Sequence, residues 1–434
     1  MNFIKNLHRR SKASEFLFHF KILASGTIIS QIIMLSASPF ITRIYSPEEF
    51  GIFALYASII SILVPISSLK YNTAIVVAKT NEDSDALFFI SIIVLIIFSF
   101  CILIFSVIGD NFFISFIDIK KLNIWWNLIF FVILLQSLNS IIRSYLNRNK
   151  NYNLISQISI MRSVMYVLIV ITFGYFGFTE NGLFFGEIFA ALIILIFAIL
   201  KIRGSYAPFK FKENFNPFNI ITKYKDFPIF SFFPTFLNKF SMMMPIFFLS
   251  KFFPDYIVGQ YSLAVKIVFF PLIFISSTIS TINLRKSSEI INQNGDLKKY
   301  LLNLTFLLIG IVLIPAIILF FYGVEIFIFV FGENWQISGE FVQILIPGLA
   351  LIFVVSTLSP VLNSIRKLNL YSYWNYGYFV SLFSFFYLFT NKLEIKDLLS
   401  YFTVINIFMY GLYFLLIWFS IKDYKAVTPN CNGK

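Results

Sequence analysis

Cysteine and histidine are almost absent from this chain of 434 residues. It has two cysteines and two histidines, and both histidines, His8 and His19, precede the first long apolar segment. A histidine-based metal or catalytic cluster within the apolar segments is therefore excluded, and Cys101 and Cys431 are too few for a disulfide framework. No Walker motif or glycine-rich phosphate loop is present, which argues against ATP hydrolysis. We expect no metal, no cofactor and no catalytic residue.

Charged residues are scarce too, at 13% of the chain against 58% hydrophobic residues, which excludes a soluble globule. Twelve apolar segments are long enough to cross a membrane, which takes about 20 residues. Backbone polar groups in lipid must be paired within each segment, so the sequence predicts an all-α polytopic membrane protein. The predicted spans are 20–42, 51–78, 86–108, 124–147, 154–177, 183–200, 226–250, 257–283, 301–322, 339–365, 371–390 and 399–420.

Acidic residues are outnumbered by basic ones, 21 to 34, and the basic ones follow a pattern. The N-terminal tail, every second loop and the C-terminal tail together hold 24 of the 34. The loops on the opposite side hold six: Arg43, Lys120, Lys121, Lys251, Lys392 and Lys396. The positive-inside rule then places both termini in the cytoplasm. The net charge of +13 reflects topology and attraction to anionic lipid headgroups, and we expect no nucleic-acid partner.

The spans divide into two halves of six. The longest cytoplasmic connection, 201–225, separates a predicted N-terminal lobe, 1–200, from a C-terminal lobe with its tail, 226–434. Segments 43–55 and 251–263 resemble each other, with a cation, glycine, aromatic residue and leucine each 208 residues apart. Because six is an even number, both halves enter the membrane from the same side. This predicts a pseudo-two-fold axis along the membrane normal and a substrate cleft between the lobes near the midplane.

Proline residues lie inside several predicted spans. Pro65 and Pro271 are expected to interrupt spans 2 and 8, because a proline within a helix removes a hydrogen bond and bends the helix. Bent helices either move as gates or pack statically, and the sequence leaves both interpretations open.

Two motifs carry a family resemblance. Pro39-Phe-Ile-Thr-Arg43-Ile-Tyr-Ser-Pro47-Glu-Glu-Phe-Gly51 follows the first span, and Phe331-Gly332-Glu333-Asn334-Trp335 precedes the tenth. Together with the number of spans, these motifs resemble those of Wzx-type polysaccharide flippases, and the resemblance covers nearly the whole chain. These belong to the multidrug/oligosaccharidyl-lipid/polysaccharide exporter superfamily. The related lipid II flippases usually have fourteen spans, which argues against that branch.

This resemblance implies a fold, a substrate and partners. The fold is two six-helix lobes around a cationic cavity, in the bacterial inner membrane. The substrate is an undecaprenyl-pyrophosphate-linked oligosaccharide, flipped for O-antigen, lipopolysaccharide or other surface polysaccharide biosynthesis. The implied partners are this lipid-linked oligosaccharide, membrane lipids, a polysaccharide polymerase and a chain-length regulator.

Four cations stand out within the predicted spans: Lys70, Arg162, Lys239 and Lys266. Lys239 lies about 17–20 Å from either membrane surface at 1.5 Å per residue, beyond the reach of a lysine stem of about 6 Å. We predict that it faces a cavity, the alternative being a structural ion pair. The other three lie about 12–14 Å from one surface, where snorkelling is an equal alternative. Glu187, near the start of span 6, is expected to neutralise a cation or to lie at the interface.

The cations suit a pyrophosphate group, since each positive charge offsets phosphate charge in a low dielectric. Gln31, Asn72 and Asn238 are candidate hydrogen-bond partners for sugar hydroxyls. For any single amide, however, a polar contact between helices is the more ordinary role.

Two other functions remain open. A cation-coupled drug antiporter of the same superfamily would need acids deep in the N-terminal half, where the deep charges are basic instead. A membrane-embedded polysaccharide polymerase would need a large external loop or an acidic pair near the surface. The longest outer loop is expected at 323–338, and the pair Glu48-Glu49 is better explained as a cap for span 2.

Overall fold

The computed structural model describes Ile22 and residues 25–108, 119–203, 217–293, 295–365 and 367–422. These residues form helices and short turns, and none of them forms a strand. The chain divides into two compact units, Met1–Gly259 and Gln260–Lys434. The protein is therefore an all-α polytopic membrane protein, as predicted.

The first unit contains nine helices among the described residues and the start of a tenth. They are α1 (Ser25–Ile44), α2 (Pro47–Leu63), α3 (Tyr71–Val77), α4 (Asn81–Ile108), α5 (Ile124–Arg148), α6 (Tyr152–Tyr175), α7 (Thr179–Arg203), α8 (Pro217–Lys223) and α9 (Asp226–Phe252). The tenth, α10 (Asp255–Asn292), continues through the second unit, followed by α11 (Leu297–Phe331), α12 (Gln336–Leu358), α13 (Val361–Ser364), α14 (Leu368–Phe389) and α15 (Ile395–Lys422).

Within the described ranges, eleven helices are long and apolar enough to cross a membrane. The remaining predicted span, 371–390, forms α14, which is 22 residues long but less apolar because it carries five tyrosines. The start of the first predicted span, 20–42, lies largely outside the described residues. The division into lobes at 201–225 stays a prediction.

The start of α2 shows how local sequence begins a helix. The Ser46 side chain accepts a hydrogen bond from the backbone N–H of Glu49, and the Glu49 carboxylate accepts one from the backbone N–H of Ser46. Pro47 occupies the first turn, where no backbone donor is needed. The acidic pair Glu48-Glu49 therefore caps span 2, as the sequence indicated.

Two glycines allow α2 to approach the first turn of α10 very closely. A Cβ atom at Gly51 would overlap the carbonyl oxygen of Asp255, and one at Gly259 would overlap the carbonyl oxygen of Pro47. The contact is reciprocal, because Gly51 and Gly259 are the equivalent glycines of the sequence repeat. Only residues without side chains fit where the two backbones touch.

Span 2 breaks where the sequence places Pro65. After α2, a single 3-10 turn covers Val64–Ile66, and the chain turns again before α3 begins at Tyr71. Pro271 does not break span 8 in the same way, since α10 continues through that proline as one helix. The turn at span 2 leaves irregular backbone at membrane depth, which is tolerated only inside protein or along a cavity.

The predicted outer loop at 323–338 is mostly helical, which corrects the sequence expectation. α11 bends at Tyr322, where φ is −118° and ψ is 18°, and then continues to Phe331. Its last turns are mostly apolar, although they include Gly323 and Glu325, and the helix ends at Gly332, whose φ is 102°. The helix therefore continues well beyond the roughly 20 residues that are needed to cross a membrane.

Candidate functional site

One face of the C-terminal half of α5 is polar, in a helix that is largely apolar elsewhere. Gln136, Asn139, Ser140, Arg143 and Asn147 recur at intervals of three and four residues, which places them along one side of the helix. The opposite side buries Ile141 and Tyr145 in the core of the first unit. We call these five polar residues the α5 stripe. A polar stripe on a membrane helix needs a partner other than lipid.

The α5 stripe faces a cavity of about 370 Å³. The helices α6 and α7 and the break after α2 supply the other walls. The lining residues outside the stripe are Val64, Ser144, Ile155, Ile158, Arg162 and Ile194. The cavity lies towards the end of α5 that carries Arg148, next to the turn that joins α5 to α6. It therefore combines two guanidinium groups, amides and hydroxyls with apolar walls.

Arg162 is held by an acid from the neighbouring helix. Its Nη2 donates to Glu187 Oε1 at 2.5 Å, and Gln136 Nε2 donates to the same oxygen at 2.6 Å. The Glu187 side chain is 17% exposed and that of Arg162 is 43% exposed. Glu187 thus neutralises a cation, the first of the two roles that the sequence suggested for it.

Arg143 is the cavity cation that the sequence analysis missed. It lines the same cavity as Arg162, and the two guanidinium groups repel each other electrostatically. Among the residues that the structure describes, none forms an ion pair or hydrogen bond with the Arg143 side chain. Two arginines with only one carboxylate between them leave a surplus positive charge facing the cavity. Burial of an uncompensated charge is costly, so this arrangement favours an anion.

A second pair of cations lies in the same unit. Lys70 follows the break in span 2 and Lys239 lies on α9, and the two ammonium groups repel each other. Leu69 and Lys70 have φ values of 47° and 66°, in the left-handed region that residues with side chains seldom adopt. Within the described ranges, neither lysine has an ion-pair partner. Strained backbone that positions an unpaired cation is typical of functional sites.

The remaining predicted site residues have different surroundings. Asn72 Nδ2 lies 3.4 Å from Ser140 Oγ, which links the break in span 2 to the α5 stripe. Gln31 is half-buried on α1 and Asn238 is exposed on α9, and neither lines the cavity. Lys266 lies on α10 in the second unit and has an interaction partner of its own. Their role in binding stays a prediction.

No group of three or more His, Cys, Asp or Glu side chains suited to a metal ion occurs in the part of the chain that the structure describes. The polar groups of the cavity are cations, amides and hydroxyls. Such a donor set suits an anionic, hydroxyl-rich ligand better than a metal ion.

The positions of α3 and α9 are fixed by a cluster that we call the clasp, formed by Lys79, Asp83, Lys223 and Tyr224. Asp83 Oδ2 accepts from Lys223 Nζ at 2.6 Å and from the Tyr224 hydroxyl at 2.8 Å, and that hydroxyl accepts from the backbone N–H of Lys79 at 3.1 Å. Lys79 lies two residues after the end of α3, and Tyr224 lies two residues before the start of α9. The clasp therefore holds together α3, which Lys70 directly precedes, and α9, which carries Lys239.

We expect Asp83→Asn to lower the unfolding temperature of the purified protein in detergent. The Tyr224 hydroxyl loses a charged acceptor in a buried site, an interaction that contributes about 1.5–3 kcal/mol. The hydrogen bond to Asp83 raises the pKa of Lys223. That part of the stabilisation is complete below the ordinary lysine pKa, about 10.4, and disappears as the pH rises through the raised value. Lys79→Gln, which keeps the backbone donor, is the control; an equal loss in both variants would contradict the clasp.

The sequence matches a known protein family. The sequence profile of a family described as "Polysaccharide biosynthesis protein" matches residues 40–339. No curated protein matches the sequence.

Several solved structures share the fold. An inward-facing multidrug resistance MATE family transporter of the MOP superfamily superimposes with a TM-score of 0.70 and 14% identity, over 94% of this chain and 98% of that one. The lipid II flippase MurJ in an inward closed conformation gives a TM-score of 0.68 and 15% identity, over 93% and 88%. A MOP superfamily transporter from Pyrococcus furiosus gives 0.53 and 14%, over 93% of each chain.

At these identities the likeness concerns the fold alone. The fold is that of MOP superfamily transporters, and the family match covers more than half of the sequence. The chain belongs to the polysaccharide biosynthesis protein family.

Proposed function

We propose that this protein is a flippase that moves undecaprenyl-pyrophosphate-linked oligosaccharide repeat units from the cytoplasmic to the periplasmic leaflet of the bacterial inner membrane. The product would feed the biosynthesis of O-antigen or another surface polysaccharide. The observation that carries the proposal is Arg143, which has no carboxylate partner among the described residues and lies beside Arg162 in a polar cavity. The family match and the fold of the lipid II flippase support it.

The chemistry of the cavity suits the head of such a lipid. A pyrophosphate carries several negative charges, and arginine binds phosphate oxygens with paired N–H donors. The amides and hydroxyls of the α5 stripe can exchange hydrogen bonds with sugar hydroxyls. Apolar walls keep the local dielectric low and strengthen both interactions. The polyprenyl tail would stay in the bilayer while the head group crosses.

The proposed mechanism is alternating access by two six-helix lobes, with α14 counted as the twelfth span. The positive-inside rule puts both termini in the cytoplasm, so the cavity beside the turn between α5 and α6 would load from that side. A head group moving outward is favoured by an inside-negative potential, by about 2.3 kcal/mol per net negative charge per 100 mV. A polysaccharide polymerase and a chain-length regulator would act on the product.

Deletion of the gene, followed by analysis of lipid-linked sugars, tests this function. We expect complete repeat units to accumulate on the cytoplasmic leaflet and the surface polymer to disappear, with recovery on complementation by the intact chain. Unpolymerised repeat units at the surface would instead indicate a polymerase. A normal surface polymer with altered drug sensitivity alone would indicate a drug antiporter; a structure of similar fold is a multidrug resistance MATE family transporter.

A further inference from the structure

Glu187 is the intramembrane acid that neutralises part of the cavity charge. It accepts hydrogen bonds from Arg162 on α6 and Gln136 on α5, at 2.5 and 2.6 Å. Arg162 itself lines the cavity and is 43% exposed, so a ligand can reach it. An anion that enters the cavity therefore competes with Glu187 for the same guanidinium group.

This competition would leave the Glu187 carboxylate without its positive partner. Its side chain is only 17% exposed, and α7 places it among apolar residues of the first unit. If Arg162 turns to a bound anion, the carboxylate keeps Gln136 as a donor but loses its positive partner. A buried carboxylate without that partner is strongly unfavourable unless another donor replaces it.

A donor without a partner lies nearby. The side chain of Tyr56 on α2 is fully buried, and its hydroxyl has no hydrogen-bond partner among the residues that the structure describes. The Tyr56 ring packs against Phe184, which lies one turn before Glu187 on α7, with the ring centroids 5.0 Å apart. The Glu187 carboxylate also acts electrostatically on the Tyr56 hydroxyl. Buried polar atoms are nearly always paired, so an orphan hydroxyl beside a carboxylate needs an explanation.

We propose that Glu187 is an exchangeable counter-ion: it holds Arg162 in the empty cavity, and when a phosphate or pyrophosphate group binds Arg162, the Tyr56 hydroxyl donates to the released carboxylate. The idea rests on the proposed function, since it assigns a regulation to the same anion site. Tyr56 is then a positioning residue, which acts through Glu187 and does not touch the ligand. The exchange lets the cavity stay nearly neutral when empty, and it admits only anions that bind strongly enough to displace a carboxylate.

The test measures binding of inorganic pyrophosphate to the purified full-length protein in detergent by calorimetry at fixed pH and ionic strength. Glu187→Gln removes the competing charge but keeps an acceptor for Arg162, and we expect it to bind about tenfold more tightly. Tyr56→Phe should bind about tenfold more weakly, because the released carboxylate lacks its new donor. In the Glu187→Gln background, Tyr56→Phe should change nothing. Tyr71→Phe, at another buried tyrosine of the same unit, is the matched control.

The double-mutant comparison separates the exchange from a structural role. An equal loss on Tyr56→Phe in both backgrounds would show that Tyr56 only packs, and Glu187→Gln binding no tighter than the wild type would remove the counter-ion. Either result overturns the inference and leaves the proposed function standing. If neither the wild type nor Glu187→Gln binds pyrophosphate, both the exchange and the anion site are wrong.

Discussion

Arg143→Gln should nearly abolish transport of lipid-linked repeat units, whereas Arg143→Lys should keep part of it. Arg143 is the cavity arginine without a carboxylate among the described residues, so its charge is available to the ligand. Losing a hydrogen bond to a charged group costs about 1.5–3 kcal/mol, which corresponds to a fall of about 10- to 150-fold. Lysine keeps the charge but not the paired donors of the guanidinium group. Surface polymer in a complemented deletion strain measures the effect.

The matched control is Lys201→Gln, which removes one positive charge from the exposed end of α7. It should leave the surface polymer unchanged at equal protein level in the membrane. If Lys201→Gln reduced the surface polymer as much as Arg143→Gln, then net charge or topology, and not the cavity, would explain the loss. Full export by Arg143→Gln would remove the observation on which the proposed function depends.

Gly51→Ala and Gly259→Ala should each destabilise the protein severely. The added Cβ atom would overlap a backbone carbonyl oxygen, of Asp255 in the first case and of Pro47 in the second. A backbone atom cannot move aside as a flexible side chain can, so the helices must separate. Overpacking of this kind costs about 3 kcal/mol, which for a chain of 434 residues corresponds to a fall of about 3 °C in the unfolding temperature.

Gly310→Ala is the control for this pair. Gly310 lies inside α11, and a Cβ atom there would meet nothing within 4 Å. Alanine in a helix is favoured over glycine by about 1 kcal/mol, so this variant should be as stable as the wild type or more so. Scanning fluorimetry of the three purified variants measures their unfolding temperatures and so ranks their stabilities. Gly51→Ala with the stability of Gly310→Ala would show that the close approach of α2 and α10 is not tight.

Much of the fold follows from patterns that the sequence displays openly. Apolar segments of about 20 residues predict membrane helices, and Ser46-Pro47 with Glu49 predicts the start of α2. Where prediction failed, a competing local rule decided the outcome. The segment after Tyr322 is helical because apolar residues continue to Gly332, although the expected membrane thickness ends earlier. α10 continues through Pro271 as one helix. A proline removes one backbone hydrogen bond, and within a membrane protein neighbouring groups can satisfy the freed carbonyl.

The site was harder to predict than the fold. Arg162 and Glu187 stand out as charges in apolar segments, and they do pair. A count of loop charges groups Arg143 with the basic loop at the end of α5, because such a count ignores which face of a helix a residue occupies. The spacing of Gln136, Asn139 and Arg143 contains the missing signal. Left-handed backbone at Lys70 has no such signal, since it depends on how the turn after Pro65 packs.

The clasp also has a consequence for how the chain is made. The partners of Asp83, Lys223 and Tyr224, are synthesised 140 and 141 residues after it. At a synthesis rate of about 5–20 residues per second, the ribosome needs roughly 7–28 seconds to deliver them. During that interval the turn between α3 and α4 lacks the two side chains that later fix it. The clasp therefore forms only after translation has passed the middle of the chain.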